Sequence, residues 1–191
     1  MRVLCKWTGS LILAGILAAP LVAGNEKPLP AAAATRAQVP AANPKDVASP
    51  DAVIGAVYDA ISGPQGQRDW NRFRSLFVDG ARLTELDPKD GGYVARVMNM
   101  DEFIAYVVPM FEKEGFYERE AAHKTVSWAN IQQVFSTYES RHAASDAKPF
   151  VRGINGFQLI NDGKRWWVVS VFWQEESASN PIPATFLRTT K

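Results

Sequence analysis

Residues 152–173 read RGINGFQLINDGKRWWVVSVFW. Apolar and polar residues alternate on both sides of Asn161-Asp162-Gly163-Lys164, and Asp-Gly between such runs is a strong signal for a two-residue hairpin loop. The stretch therefore predicts two antiparallel strands, over about 150–161 and 165–175. A two-residue loop also sets their register. Asn155 should face Ser170, Phe157 should face Val168, and Arg152 should face Trp173.

Working upstream, a period of two persists over about 128–141 and 116–125, which predicts two more strands. The loop joining 141 to 150 is longer. Its matching register puts Glu139 opposite Arg152 and Ser136 opposite Asn155. Because side chains alternate across a sheet, these registers sort residues onto two faces. One carries Ser136, Tyr138, Asn155, Phe157, Trp166, Val168, Ser170 and Phe172. The other carries Phe135, Glu139, Arg152, Ile154, Trp167, Val171 and Trp173. Both are largely apolar, whereas a lone antiparallel sheet usually wets one face. Helices can cover one face. A second copy of the chain is the expected cover for the other, so a homodimer through the sheet is expected.

The covering helices lie further upstream. Ser49, Pro50 and Asp51 form a helix start, with an N-cap hydroxyl, proline at the first position and an acid in the first turn. Val53, Ile54, Val57, Tyr58 and Ile61 then recur at helical spacing until Gly63-Pro64. A second helix is expected over 69–77, with Trp70, Phe73, Leu76 and Phe77 on one face. Segments 81–86 and 93–98 flank a turn-rich break and can pair as short strands. A third helix is expected over 99–114, opened by an Asn99–Glu102 capping box. Pro109 predicts a kink or an early end to it.

The N-terminus carries no fold signal. Arg2 and Lys6 precede an uncharged run with the apolar heart LILAGILAA and then small residues, the layout of a secretory signal peptide over 1–23. Export to the periplasm or medium is expected; membrane attachment follows only if the segment stays uncleaved. Residues 24–49, rich in Ala and Pro and without aromatics, read as a disordered tether. Residues 50–191 then form one domain.

The 191-residue chain is 47% apolar, 11% aromatic and 21% charged, which excludes a disordered chain or a multi-span membrane protein. A net charge of +1 sets up no field for nucleic acid, and no nucleic-acid partner is expected. One cysteine, Cys5, and two histidines make neither a disulfide framework nor a zinc signature. No Gly-rich phosphate loop opens a helix. No metal and no cofactor is expected.

Four segments together resemble the nuclear-transport-factor-2-like (SnoaL-like) superfamily: PDAVIGAVYDAI at 50–61, DWNRFRSLF at 69–77, FSTYESR at 135–141, and RGINGFQLINDGKRWWVVSVFW. The resemblance covers about 50–176. It implies an α+β cone-shaped fold in which N-terminal helices pack on a strongly bent antiparallel sheet. It further implies a pocket between helices and the concave sheet face, on the side holding the first tryptophan of the last strand, and dimers through the other side. The implied candidate pocket residues are Tyr58, Ser136, Tyr138, Asn155, Phe157, Trp166, Ser170 and Phe172. Ser136, Asn155 and Ser170 form a polar row inside an apolar wall, as a small-ligand site requires. The same row also fits a packed sheet whose polar groups satisfy one another.

The leading expectation is a pocket protein for a small, mostly apolar molecule. The alternatives are a lyase or isomerase acting on an enolisable substrate, with Tyr58, Tyr138 or Asp59 exchanging the proton, and a dimeric structural module. The pocket face drawn this way holds no carboxylate and no histidine. His123 and the glutamates around it read as a solvated edge. Glu139 and Arg152 are expected as a cross-strand ion pair.

Overall fold

The hairpin forms with a wider loop than expected. Strands β5 (Val151–Asn161) and β6 (Trp166–Glu175) pair antiparallel, beginning at Asn161 and Trp166, so the loop spans 162–165. Asp162 holds it. Its carboxylate accepts from Trp167 Nε1 at 2.9 Å and from the backbone N–H groups of Lys164 and Arg165 at 2.9 and 3.0 Å. These hydrogen bonds, that of Trp167 foremost, hold the Asp162 carboxyl down at about 2. Gly163 takes φ +89°, a conformation that costs glycine little. An aspartate that can cap two backbone donors favours this loop over the tighter turn.

A second departure follows along β6. Leu159 pairs with Val168 but Gln158 pairs with Ser170, so Val169 is an extra residue in a β-bulge. Beyond the bulge Asn155 faces Trp173, and Arg152 lies past Trp173's level. The side-chain phase of β6 is thereby reversed. Val168 and Val171 are both buried, Trp173 packs on the core, and Phe172 is 43% exposed. Ser170 donates to Gln158 Oε1 on the outer face. The expected inward placement of Ser170 and Phe172 is therefore corrected. On the other side of β5 the expected register holds: β4 (Ile131–Arg141) sets Glu139 against Arg152 and Ser136 against Asn155.

Strand β3 (Tyr117–Trp128) completes that edge. Strands β1 (Phe77–Lys89) and β2 (Gly92–Met98) form the other, giving the order β2-β1-β6-β5-β4-β3. Strand β1 runs parallel to β6, so the sheet is mixed and open rather than wholly antiparallel. The fold class is α+β, as expected.

Three helices cover the inner face. Helix α1 (Pro50–Ile61) is capped by Ser49, whose Oγ accepts from the Ala52 N–H at 3.1 Å, and it buries Val53, Ile54, Val57, Tyr58 and Ile61. Helix α2 (Trp70–Ser75) buries Phe73. Helix α3 (Met100–Phe111) opens with the Asn99–Glu102 capping box and ends two residues after Pro109. It buries Phe103, Val107 and Phe111, a contribution of about 1.5–3 kcal/mol for each side chain.

The structure is a computed structural model that describes residues 39–189, all within the compact unit Thr35–Lys191. The expected signal segment and residues 24–38 of the expected tether lie outside the described residues. The last part of that tether is folded. Pro44–Val47 forms a 3-10 helix, Val47 is 5% exposed, and Asp46 pairs with Arg72 at 2.8 Å. The folded region thus begins before residue 50. Among the described residues no helix is long and apolar enough to cross a membrane.

The chain covers part of the outer sheet face itself. Phe186, in a 3-10 turn at Ala184–Phe186, meets Phe135 edge-on at 5.8 Å, and its carbonyl accepts from Thr137 Oγ1. Phe172, Trp128 and Ile131 remain exposed.

Candidate functional site

Between the helices and the inner sheet face lies a cavity of about 330 Å³. Every helix and most strands contribute to it. Aromatic rings dominate the wall, among them Phe73, Phe103, Phe111, Phe157 and Trp173. Tyr106, Met110 and Phe150, which also line it, are exposed, which marks the side where it opens.

The polar groups converge on Glu118. Sequence reasoning placed Glu118 on a solvated edge, because β3 is rich in charge. Its parity says otherwise: Glu118 alternates with Phe116, which is buried against the core. Register puts Glu118 opposite Ser140, and Ser140 Oγ donates to Glu118 Oε2 at 2.7 Å. Asn155 Nδ2 reaches Glu118 Oε1 at 3.3 Å and the Tyr58 oxygen at 3.1 Å. Burial pushes the Glu118 carboxyl up to about 7, and the charge of Glu175 adds to the rise. The hydrogen bonds from Ser140 and Asn155 pull the other way without cancelling it.

Behind this carboxyl runs a chain of hydroxyls. Tyr58 Oη and Ser136 Oγ are 2.7 Å apart, and Ser136 also bonds Glu120 Oε2. A serine has one hydroxyl hydrogen. With that hydrogen given to Glu120, Tyr58 donates to Ser136 and accepts from Asn155. Glu120 Oε1 in turn lies 2.6 Å from His123 Nδ1. The β3–β4 register shifts between Glu120 and Ala122, which sets His123 opposite Ser136. His123 is therefore paired and largely enclosed, not solvated as expected. Burial raises the ionisation of both Tyr58 and Tyr138 well above the ordinary tyrosine value, so each stays a neutral hydroxyl.

Of the expected pocket residues, Tyr58, Tyr138, Asn155 and Phe157 line the cavity. Ser136 stands one hydrogen bond behind Tyr58. Trp166 packs on the core without reaching the cavity wall, and Ser170 and Phe172 face away. Their places are taken by Val171, Trp173 and Glu175, brought inward by the bulge. The expectation of a pocket without a carboxylate is overturned: Glu85, Glu118 and Glu175 all line it. Asp59 is exposed and paired with Arg72.

Glu139 and Arg152 oppose each other in register but do not pair. Glu139 is held by Arg141 at 2.8 Å and Arg119 at 3.0 Å, and Arg152 turns to Glu176 at 2.8 Å. The Arg141 hydrogen bond, with that of Arg119, lowers the Glu139 carboxyl. Arg119 sits directly opposite Glu139 on β3, so the pairing goes to the other neighbouring strand. Among the described residues no group of three or more His, Cys, Asp or Glu is arranged to hold a metal ion.

The architecture has solved counterparts. A candidate dehydratase of the NTF2-like family from Streptomyces avermitilis aligns over 70% of this chain and 97% of its own, with 12% identity and a TM-score of 0.51. A candidate calcium/calmodulin-dependent protein kinase II association domain from Thiobacillus denitrificans aligns over 68% and 96%, with 14% identity and a TM-score of 0.51. A Nostoc punctiforme protein of unknown function with a cystatin-like fold aligns over 66% and 87%, at 8% identity and 0.50. No family model and no curated protein matches the sequence. The chain has the nuclear-transport-factor-2-like fold, a pocket-bearing α+β architecture. That fold carries unrelated activities, so function has to be argued from the cavity.

Proposed function

We propose that this protein binds a small, mostly apolar molecule in the cavity between its helices and sheet, with one polar end of the ligand against Glu118. One observation carries the reading. A cavity of about 330 Å³ walled by aromatic rings ends on a convergent set of hydrogen-bonding groups, which is how small-molecule sites are built. Native mass spectrometry of the protein purified gently from its own cells tests it. A retained small mass that is lost on denaturation supports binding; a bare chain that takes up no member of an apolar ligand panel refutes it.

Glu118 favours a second reading, acid–base chemistry. A carboxyl that ionises near 7 is present in both forms at neutral pH, as proton transfer in either direction requires. The ionised form would take a proton from a carbon next to a carbonyl, and the acid so formed would return it at another position. Tyr58 fits the base role less well, since burial keeps it a neutral hydroxyl, and Asp59 lies outside the cavity. Deuterium uptake by enolisable ketones, followed by NMR, tests this reading. Exchange that survives Glu118→Gln rules it out.

Two further expectations stand as proposals. A second copy would cover the exposed Phe172, Trp128 and Ile131 of the outer face, checked by sedimentation over a concentration series. Export would rest on residues 1–23, checked by the N-terminus of the mature chain.

A further inference from the structure

The cavity is one-signed. Three glutamates line it, and no lysine, arginine or histidine does. Arg96 comes near, 3.5 Å from Glu85 by Nε, but its Nη2 bonds Asp87 and its guanidinium lies over the Tyr106 ring. That leaves Glu118 and Glu175 without a cationic partner among the described residues. Within the cavity the groups beside them are other acids or neutral: Glu85 on β1, Tyr106 on α3, Tyr58 on α1, Tyr138 and Ser140 on β4, Asn155 on β5; Arg119 and Arg141, which border a second hollow that Glu118 also lines, are paired with Glu139. Glu175 is exposed, but Glu118 is enclosed, and an enclosed carboxylate with no counter-charge is costly. The remaining wall is aromatic and aliphatic, and aromatic rings attract cations at their faces.

From this we infer that the ligand of the cavity is an organic cation, an apolar body bearing a protonated amine. The inference rests on the small-molecule reading above and adds the charge of the ligand. An ammonium group at the polar end supplies the charge that Glu118 and Glu175 lack. The apolar body displaces poorly bound water from the ring-lined part. A neutral ligand leaves the acids unpaired, and an anionic one meets three glutamates.

Three probes with one skeleton separate these cases: 2-phenylethylamine, 2-phenylethanol and phenylacetate. Each is titrated into the purified protein at pH 8, where Glu118 is ionised and the amine still charged, with affinity read by calorimetry. A charge-assisted hydrogen bond predicts that the amine binds at least about tenfold more tightly than the alcohol, with no measurable binding of the acid. Glu118→Gln and Glu175→Gln, each checked for folding by circular dichroism, should bring the amine down towards the alcohol, weakening the amine by a larger factor than the alcohol. Equal or tighter binding of the alcohol or the acid overturns the cation while leaving the pocket reading intact. Failure of all three probes, and of an apolar panel, overturns both.

Discussion

Glu118 and Ser140 face each other across the β3–β4 ladder, and the serine hydroxyl donates to the carboxylate at 2.7 Å. This hydrogen bond favours the ionised form and so opposes the effect of burial. Ser140→Ala should therefore move the titration of Glu118 upward from about 7. Carboxyl-carbon NMR of the variant reads this directly. A downward or absent shift would mean that Ser140 does not hold the carboxylate.

Glu118 also makes stability depend on pH. Its folded-state value of about 7 lies above the ordinary 4.5. Between the two, the folded chain holds a proton that the unfolded chain has lost. Stability should thus fall as pH rises from about 4.5 to 7 and level off above that, by at most about 3 kcal/mol from this group. Glu118→Gln should be more stable than the parent at pH 8 and little different at pH 4. Urea unfolding at the two pH values checks it.

Tyr58→Phe keeps the ring and removes the oxygen that joins Asn155 to Ser136. Two enclosed polar groups then each lose a partner, and stability should drop by about 1–3 kcal/mol. A change below about 0.5 kcal/mol would mean that water replaces the hydroxyl.

Two glycines of β5 should behave differently. A Cβ on Gly153 would sit 2.4 Å from both the Gln174 carbonyl oxygen and the Tyr138 hydroxyl. One on Gly156 would meet the ring of Phe172, which is 43% exposed and free to swing outward. Gly153→Ala should cost upwards of about 2 kcal/mol, and Gly156→Ala distinctly less. Paired thermal melts decide between them.

The elements of this fold are written locally, and that is why they are legible in the sequence. Helix α1 is announced by Ser49-Pro50-Asp51, α3 by Asn99 and Glu102, and the β4–β5 register by its alternation. The candidate site is not local in that sense. Reading Glu118 as solvent-facing followed its charged neighbours and passed over its shared parity with Phe116. The outward turn of Phe172 depends on a bulge, and nothing in VVSVFW marks Val169 as the extra residue. The Asp162 loop shows the same limit, since a side chain that caps two backbone donors outweighs the statistical preference of Asp-Gly.

The strand 166–175 is thus composed in two phases, joined at Val169. Before the junction, even-numbered residues point inward; after it, odd-numbered ones do. Losing the bulge while keeping all ten residues would turn the second phase over. Paired in unbroken alternation, with Val169 taken into the ladder, the same residues would bring Ser170 and Phe172 to the interior and send Trp173 and Glu175 outside, exchanging an acid for a hydroxyl in the chamber with no side chain altered. In such a scaffold the selectivity of a binding site can be revised by gaining or losing a single bulge, and two chains could differ in what they hold while their sequences hardly differ.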